Sequence, residues 1–188
     1  DPFKIEENYN DADVIFITHD HYDHYSEEDI DKVVKEDTII VVPEDLKTKL
    51  LKKGWKEENI ITVRPNEIYT VKNIEFKTIP AYNVNKQFHP KENAWVGYLL
   101  EIEGVTYYIA GDTDITEENK KVKSDVAFVP VGGTYTMDYK EAAELINEIK
   151  PKVTVPTHYG SIVGSKKEGD KFLKLVNPEI KVEILMNK

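Results

Sequence analysis

The sequence predicts an α/β fold in which helices are layered around two sheets. Short apolar runs rich in β-branched residues alternate with helix-like segments near both ends of the chain, a pattern typical of parallel strands joined by helical crossovers. Between these regions, strand-like runs follow one another with only tight turns, which predicts an antiparallel meander. A chain of 188 residues fits a single domain, and we expect that domain to span residues 1–188.

The amino-terminal part is expected to form two successive β-α-β steps. Ser26 begins a capping-box-like start of the first helix, and Gly54 is a typical residue for ending the second. The predicted elements are a strand at 13–18, a helix at 27–35, a strand at 38–42, a helix from 43 to about 53, and a strand at 60–63.

The middle and the carboxyl-terminal part complete the two sheets. The predicted meander strands lie at 68–71, 74–80, 96–102 and 105–110, with Glu103-Gly104 as a hairpin turn. Alternation of strand and helix then returns, and Pro151 ends the longest helix. These last elements are a strand at 126–129, a helix at 138–149, a strand at 153–155, a helix at 170–175 and a strand at 182–185.

Composition excludes several classes of function. The formal charge of −10 disfavours binding to nucleic acid, whose phosphates it repels. The chain has no cysteine, so a bound metal has to be held by imidazole and carboxylate. No apolar run reaches the length of about 18–20 residues that a membrane span needs, and no signal sequence is evident, so a cytoplasmic protein is expected.

One polar segment directly follows the first predicted strand, and it contains three of the five histidines. In an extended segment, residues two apart project the same way, so His19 and His21 are able to hold one metal ion while the chain turns to present Asp23 and His24. Two adjacent metal ions become feasible. The alternative, a solvated loop whose histidines have no role, is disfavoured because loops concentrate function.

The remaining histidines and one Gly-Asp pair occupy similar places. His89 and His158 both lie in loops after predicted strands, so no histidine is left for an ordinary core position. Asp112 follows Gly111 at the end of another predicted strand. Turn chemistry alone would explain a Gly-Asp pair, but its place beside the histidine-bearing strands favours a role in the same site.

His-x-His-x-Asp-His over 19–24, Gly-Asp at 111–112 and a late histidine after a strand together resemble the metallo-β-lactamase superfamily. Within it, four segments are similar to a group of metal-dependent hydrolases related to ascorbate-6-phosphate lactonase and N-acyl phosphatidylethanolamine phospholipase D: 79–83, 88–91, 95–98 and 110–114. The resemblance implies a four-layered αββα sandwich. Members usually open with a β-hairpin before the Asp-Pro that is Asp1-Pro2 here, so the domain is expected to lack it.

The resemblance also implies the ligands of two divalent metal ions, with zinc expected first and manganese or iron as alternatives. The first set would be His19, His21 and a third histidine, the second Asp23, His24 and His158, with Asp112 between the ions. Many relatives place the third histidine immediately after the strand that ends here in Tyr82-Asn83. His89, the only histidine left, is our prediction for that ligand.

The expected activity is hydrolysis of a lactone, ester, amide or phosphoester of a small molecule by a metal-bound hydroxide. The predicted catalytic residues are Asp112, which would hold both ions, and Asp23, which, like the water itself, is a candidate for proton delivery. A nuclease or phosphodiesterase of the same superfamily and a catalytically inactive metal-binding protein remain the alternatives. Asp20 and Asp114 are candidates for orienting imidazoles, with ordinary surface carboxylates as the equal alternative. Candidate pocket residues, with ordinary surface positions as the equal alternative, are Tyr22, Tyr82, Tyr135, Tyr159, Lys86 and Lys91.

Overall fold

A computed structural model describes residues 1–185, and in this range it contains two sheets. The first sheet has three parallel strands in the order β1-β2-β3. Its strands are β1 (Ala12–Phe16), β2 (Val34–Pro43) and β3 (Ile60–Val63), and its crossovers contain α1 (Glu27–Val33) and α2 (Lys47–Lys53). Ser26 caps α1 by accepting a hydrogen bond from the Asp29 amide, and Gly54 ends α2 in the left-handed region at φ 100°.

The second sheet has seven strands in the order β10-β9-β8-β7-β6-β5-β4. Its strands are β4 (Ile68–Val71), β5 (Ile74–Pro80), β6 (Val96–Ile102), β7 (Val105–Ile109), β8 (Val126–Pro130), β9 (Val153–Thr157) and β10 (Lys181–Val182). Strands β4 to β7 pair antiparallel, and β7 to β10 pair parallel. Glu103 and Gly104 both have positive φ, as the tight hairpin turn between β6 and β7 requires.

Three hydrophobic clusters give the molecule its layers. One joins α1 and α2 to the outer face of the first sheet through residues such as Ile30 and Leu50. A second lies between the sheets, where Val41 shares a cluster with Phe76 and Tyr98. The third packs α3 (Tyr139–Ile149) and α4 (Glu168–Leu173) against the second sheet. The order helix, sheet, sheet, helix confirms the predicted four-layered α/β sandwich.

The predicted meander and parallel units are confirmed, although several element boundaries differ by one to four residues. Strand β2 begins at Val34, because that residue is already extended where α1 ends. Helix α4 starts before Asp170, since the Glu168 amide donates to the Ser165 carbonyl at 3.0 Å. The last strand, expected at 182–185, is Lys181–Val182 and pairs with two residues of β9. The single domain over 1–188 stays a prediction, and residues 186–188 lie outside the described range.

The directions of the paired strands determine which carboxyl ends lie at the same edge of the second sheet. Strands β5, β7 and β9 run in the same direction, so their carboxyl ends lie at one edge of the second sheet. The carboxyl end of β1 reaches the same edge, where the Val96 amide donates to the Thr18 carbonyl at 3.2 Å and the Tyr98 hydroxyl to the Ile17 carbonyl at 2.7 Å. Among residues 1–185, no helix is long and apolar enough to cross a membrane.

Candidate metal centre

The segment after β1 supplies four of the predicted site residues. His19 and His24 are buried, whereas His21 and Asp23 are half-buried. The chain turns after His21, because its carbonyl accepts hydrogen bonds from the amides of His24 at 3.0 Å and Tyr25 at 2.7 Å. This turn separates the two halves of the segment, so His19 and His21 face one site while Asp23 and His24 face the next.

The first group consists of His19, His21 and His89, whose ligand atoms lie within 4.8 Å of one another. His89 comes from the irregular segment between β5 and β6, and it is only 1% exposed. Its ring centroid lies 5.0 Å from that of His19 and 4.8 Å from that of His21. The structure therefore brings the predicted third histidine to the two that follow β1.

The second group consists of Asp23, His24 and His158, again with ligand atoms within 4.8 Å. His158 directly follows β9 and has φ 54°, in the left-handed backbone region. Its Nε2 lies 3.2 Å from Oδ2 of Asp23, and Nε2 of His24 lies 3.5 Å from the same oxygen.

Asp112 lies between the two groups. Its Oδ2 is 3.4 Å from Nε2 of His89 and 3.2 Å from Nε2 of His158, and its Oδ1 is 3.3 Å from Nε2 of His24. The approach depends on Gly111, which has φ 64° and lies so close to Thr18 that an added Cβ would be 2.9 Å from the threonine Cβ. One carboxylate therefore reaches histidines of both groups.

The electrostatics favour the protonation states that metal ligands need. Burial, together with the neighbouring charge of His24, holds the pKa of His19 well below its usual value, and burial likewise lowers the pKa of His21. Burial alone would raise the pKa of Asp112, but the adjacent imidazoles of His24 and His89, together with the charges of His24 and His158, outweigh it and hold the pKa well below its ordinary value. Neutral imidazoles beside ionised carboxylates are the ligand forms that bind divalent metals.

Unpartnered buried atoms show that the residues fit a metal. His24 Nε2, His89 Nε2 and Asp112 Oδ1 are buried without a hydrogen-bond partner. Buried polar groups normally have partners, because leaving them unpaired costs on the order of 1–3 kcal/mol each. These three atoms lie close together between the ligand groups, where a divalent cation would give each of them a partner.

Two neighbours of the histidines were not identified from the sequence. Asp1 accepts hydrogen bonds from the Thr18 amide at 2.7 Å and the Thr18 hydroxyl at 2.8 Å, and its Oδ2 lies 2.9 Å from Nδ1 of His24. Trp95 packs its ring 5.0 Å from that of His19 and 4.9 Å from that of His21. The Asp1-Pro2 pair is a sequence feature from which the role of Asp1 could have been found. Trp95 has no such feature, because in a sequence it resembles an ordinary core residue.

Other predicted candidates have different partners. Asp20 pairs with Lys49 at 2.7 Å, and Asp114 pairs with Lys86 at 2.6 Å while accepting from the Val84 amide at 2.9 Å. Lys91 pairs with Glu118 at 3.0 Å and contacts the Tyr82 ring. Both lysines expected in a pocket are thus neutralised by carboxylates, which weakens their case as binders of an anionic substrate.

A cavity of about 430 Å³ adjoins the second group. His24, Asp112 and His158 line its inner end, and Tyr159 lines it as expected from the sequence. Its remaining walls are mostly apolar: Phe3, Ile109, Phe128, Ile162 and Val163. Within residues 1–185, no lysine or arginine lines this cavity.

Known proteins are similar to this chain in sequence and in fold. Residues 1–158 match the beta-lactamase superfamily domain. A UPF0173 metal-dependent hydrolase of Saccharolobus solfataricus is 31% identical over 191 residues, covering 93% of this chain and 78% of the relative. A solved structure described as a metal-dependent hydrolase of Parabacteroides distasonis is 34% identical with a TM-score of 0.80, covering 94% of this chain and 77% of its own.

A second solved structure is similar over a still larger part of the chain. It is described as a zinc-dependent hydrolase of the metallo-β-lactamase superfamily from Thermotoga maritima. It is 25% identical with a TM-score of 0.64, and the match covers 98% of this chain and 86% of that one.

Proposed function

This chain belongs to the metallo-β-lactamase superfamily and is a metal-dependent hydrolase, and from that premise we propose that residues 1–188 form one domain with a two-metal site that hydrolyses a small molecule. The observation that carries the proposal is Asp112, whose two carboxylate oxygens each lie within 3.4 Å of an imidazole from a different ligand group. A single carboxylate in that position suits two neighbouring cations. A cytoplasmic location stays a prediction.

We assign His19, His21 and His89 to the first metal, Asp23, His24 and His158 to the second, and Asp112 to both. Zinc is our first choice, because three imidazoles without thiolate suit it and the Thermotoga maritima relative is described as zinc-dependent. Manganese and iron remain possible for the same ligands. When bound, such ions lower the pKa of a water and polarise the group to be cleaved.

The protein's own catalytic groups are Asp112 and Asp23. Asp112 holds the two ligand groups together through His24, His89 and His158. Burial raises the pKa of Asp23, but the hydrogen bond from His158 and the charge of His24 outweigh it, so the pKa is lowered. Asp23 is therefore ionised near neutral pH, and we propose that its carboxylate accepts a proton from the attacking water and passes it to the leaving group.

The cavity supports a substrate that has an apolar part. Its aromatic and aliphatic walls lie next to Asp23 and His158, so an apolar group bound there would place a neighbouring lactone, ester, amide or phosphoester at the centre. The likeness to ascorbate-6-phosphate lactonase and N-acyl phosphatidylethanolamine phospholipase D is a narrower proposal of the same kind. Because Lys86 and Lys91 are paired with carboxylates, a substrate that carries little negative charge is favoured over a strongly anionic one.

Metal content of purified variants tests this proposal. We expect about two metal ions per wild-type chain and fewer in both His24→Ala and His89→Ala, with hydrolysis of an ester, lactone and phosphodiester panel falling in parallel. Asp20→Ala is the matched control, because Asp20 lies in the same segment but pairs with Lys49. A folded wild type without metal would contradict the proposal, and full occupancy without turnover would instead support the inactive metal-binding protein.

A further inference from the structure

We infer that Asn83 is a positioning residue for the metal centre, which fixes the proton of His89 on Nδ1 and thereby directs Nε2 toward the metal. The inference rests on the proposed function, in which His89 is a ligand of the first metal. It concerns a side chain six residues before the ligand, in the same irregular segment between β5 and β6.

Asn83 and His89 are joined by reciprocal hydrogen bonds. The Asn83 amide donates to the His89 carbonyl at 2.8 Å, and the His89 amide donates to Oδ1 of Asn83 at 3.0 Å. The same Oδ1 lies 3.2 Å from Nδ1 of the His89 ring. Both residues are buried, with exposed fractions of 8% and 1%. Water is therefore largely excluded as a competing partner for the ring.

The surrounding bonds settle which end of the Asn83 amide faces the ring. Its Oδ1 accepts from the His89 amide, which is only a donor, and its Nδ2 donates at 2.9 Å to the Tyr135 carbonyl, which is only an acceptor. Because Oδ1 has no hydrogen to give, Nδ1 of His89 has to be the donor in this contact. The neutral ring then carries no hydrogen on Nε2.

That free nitrogen lies where a metal ligand is needed. Nε2 of His89 is buried without a hydrogen-bond partner and lies 3.4 Å from Oδ2 of Asp112. Histidine ligands typically donate their other ring N–H to an oxygen that fixes the tautomer and orientation, and loss of such a partner costs about 10- to 100-fold in metal affinity. Asn83 provides that oxygen for His89.

The bond from Asn83 to Tyr135 also ties the irregular segment to a neighbouring part of the fold. Tyr135 lies in the connection between β8 and α3, and its ring meets the Phe88 ring at a centroid distance of 4.6 Å. His89 thus has tethers on both sides, from Asn83 and through Phe88. A ligand supplied from a loop needs such support, since loops are otherwise the more mobile parts of a protein.

The test compares Asn83→Ala with Asn147→Ala. Asn147 makes the same two kinds of backbone contact, donating to the Leu175 carbonyl at 3.0 Å and accepting from the Asn177 amide at 2.7 Å, but neither partner belongs to the metal centre. We expect Asn83→Ala to weaken one of the two metal sites about 10- to 100-fold in chelator competition, while Asn147→Ala leaves both unchanged.

A second readout does not require any variant to fold. Long-range proton–nitrogen NMR spectra of the metal-free wild type should show His89 with its proton on Nδ1. A proton on Nε2 in that spectrum, or wild-type metal affinity in Asn83→Ala, would overturn the inference. A wild type that binds no metal would instead contradict the proposed function, and the NMR spectrum would still decide whether Asn83 sets the tautomer.

Discussion

At the scale of single residues, three histidines of the centre share one arrangement. Nδ1 of His19 lies 2.9 Å from the Thr18 hydroxyl, Nδ1 of His24 lies 2.9 Å from Asp1, and Nδ1 of His89 lies 3.2 Å from Asn83. In each case an oxygen holds the nitrogen nearer the backbone, so Nε2 is the atom that would face a bound metal. Orientation of the imidazoles is thus built into the neighbouring side chains.

The Trp95 side chain offers a direct report of metal binding. It is 7% exposed, lies against His19, His21 and His89, and donates from its indole nitrogen to Asp45 at 2.8 Å. Adding Co²⁺ to metal-free protein should quench its fluorescence, because the ion would lie within a few ångströms of the ring. Emission spectra recorded during a Co²⁺ titration measure this effect.

The chain has two tryptophans, which allows a clean comparison. Trp95→Phe should remove most of the Co²⁺-induced quenching, whereas Trp55→Phe should keep it, since Trp55 packs against the cluster formed by α1, α2 and the first sheet. Equal quenching in both variants would mean that the metal does not bind beside His19 and His21.

At the scale of elements, the proposed ligands other than His89 follow the carboxyl ends of strands. His19 to His24 follow β1, Asp112 follows β7 and His158 follows β9. The sequence predicted this arrangement, because short β-branched runs mark buried strands and polar residues directly after them are out of place unless they are functional. Strands β3, β4, β5 and β6 lie where the pattern of apolar residues placed them.

Contacts between side chains could not be predicted in the same way. Asn83 reaches His89 across six residues of irregular backbone, and Asp1 reaches His24 across more than twenty residues. Neither spacing corresponds to a helix or strand period, so no pattern in the sequence pairs them. The pairing of Lys86 with Asp114 was missed for the same reason, and it changes the expected charge of the pocket.

Helix α1 carries a pH-dependent contribution to stability at Asp29. Its carboxylate accepts from the amides of Lys4 and Ile5 at 2.9 Å each and from the Ser26 hydroxyl at 2.7 Å. Burial raises the pKa of Asp29, but these bonds and Lys32 outweigh it and lower the pKa to about 2. The folded pKa lies below the unfolded one, so the stabilisation is present above the ordinary value of 3.8 and is lost as pH falls through 2.

We therefore expect Asp29→Asn to lower the free energy of unfolding at pH 6 by about 1–3 kcal/mol, because the amide cannot accept from all of these donors. The difference from wild type should narrow steadily as pH falls from about 4 to about 2. Urea unfolding of metal-free protein measures it without interference from ligand protonation. Asp31→Asn is the control in the same helix, since Asp31 makes only an exposed ion pair with Lys53 at 3.4 Å. A pH-independent difference for Asp29→Asn would contradict the assignment.

At the scale of the whole molecule, the centre joins the two sheets. The first sheet contributes the segment after β1, and the second contributes His89, Asp112 and His158 from three separate connections. The hydrophobic cluster that contains Val41, Phe76 and Tyr98 holds the two sheets face to face. Residues this far apart in sequence come together only when both sheets are packed, so we expect metal to bind the folded form alone.

Metal binding should therefore stabilise the entire fold against unfolding. Each occupied site is expected to add about 2.7 kcal/mol when free metal is about 100 times the dissociation constant, because the unfolded chain cannot assemble the ligands. For a chain of this size, that corresponds to a rise of about 5–10 °C in melting temperature per site. Denaturant unfolding with chelator, and with buffered Zn²⁺, measures the difference.

Variants show whether this stabilisation comes from the proposed centre. His24→Ala should lose much of the Zn²⁺-induced increase, since His24 contacts Asp23 and Asp112 together, whereas Asp20→Ala should keep it. In chelator both variants should unfold close to the metal-free wild type, which separates metal linkage from damage to the fold. An equal Zn²⁺-induced increase in the free energy of unfolding of His24→Ala and wild type would mean that Zn²⁺ binds outside the proposed centre. The strand ends of the two sheets would then not be joined through the metals.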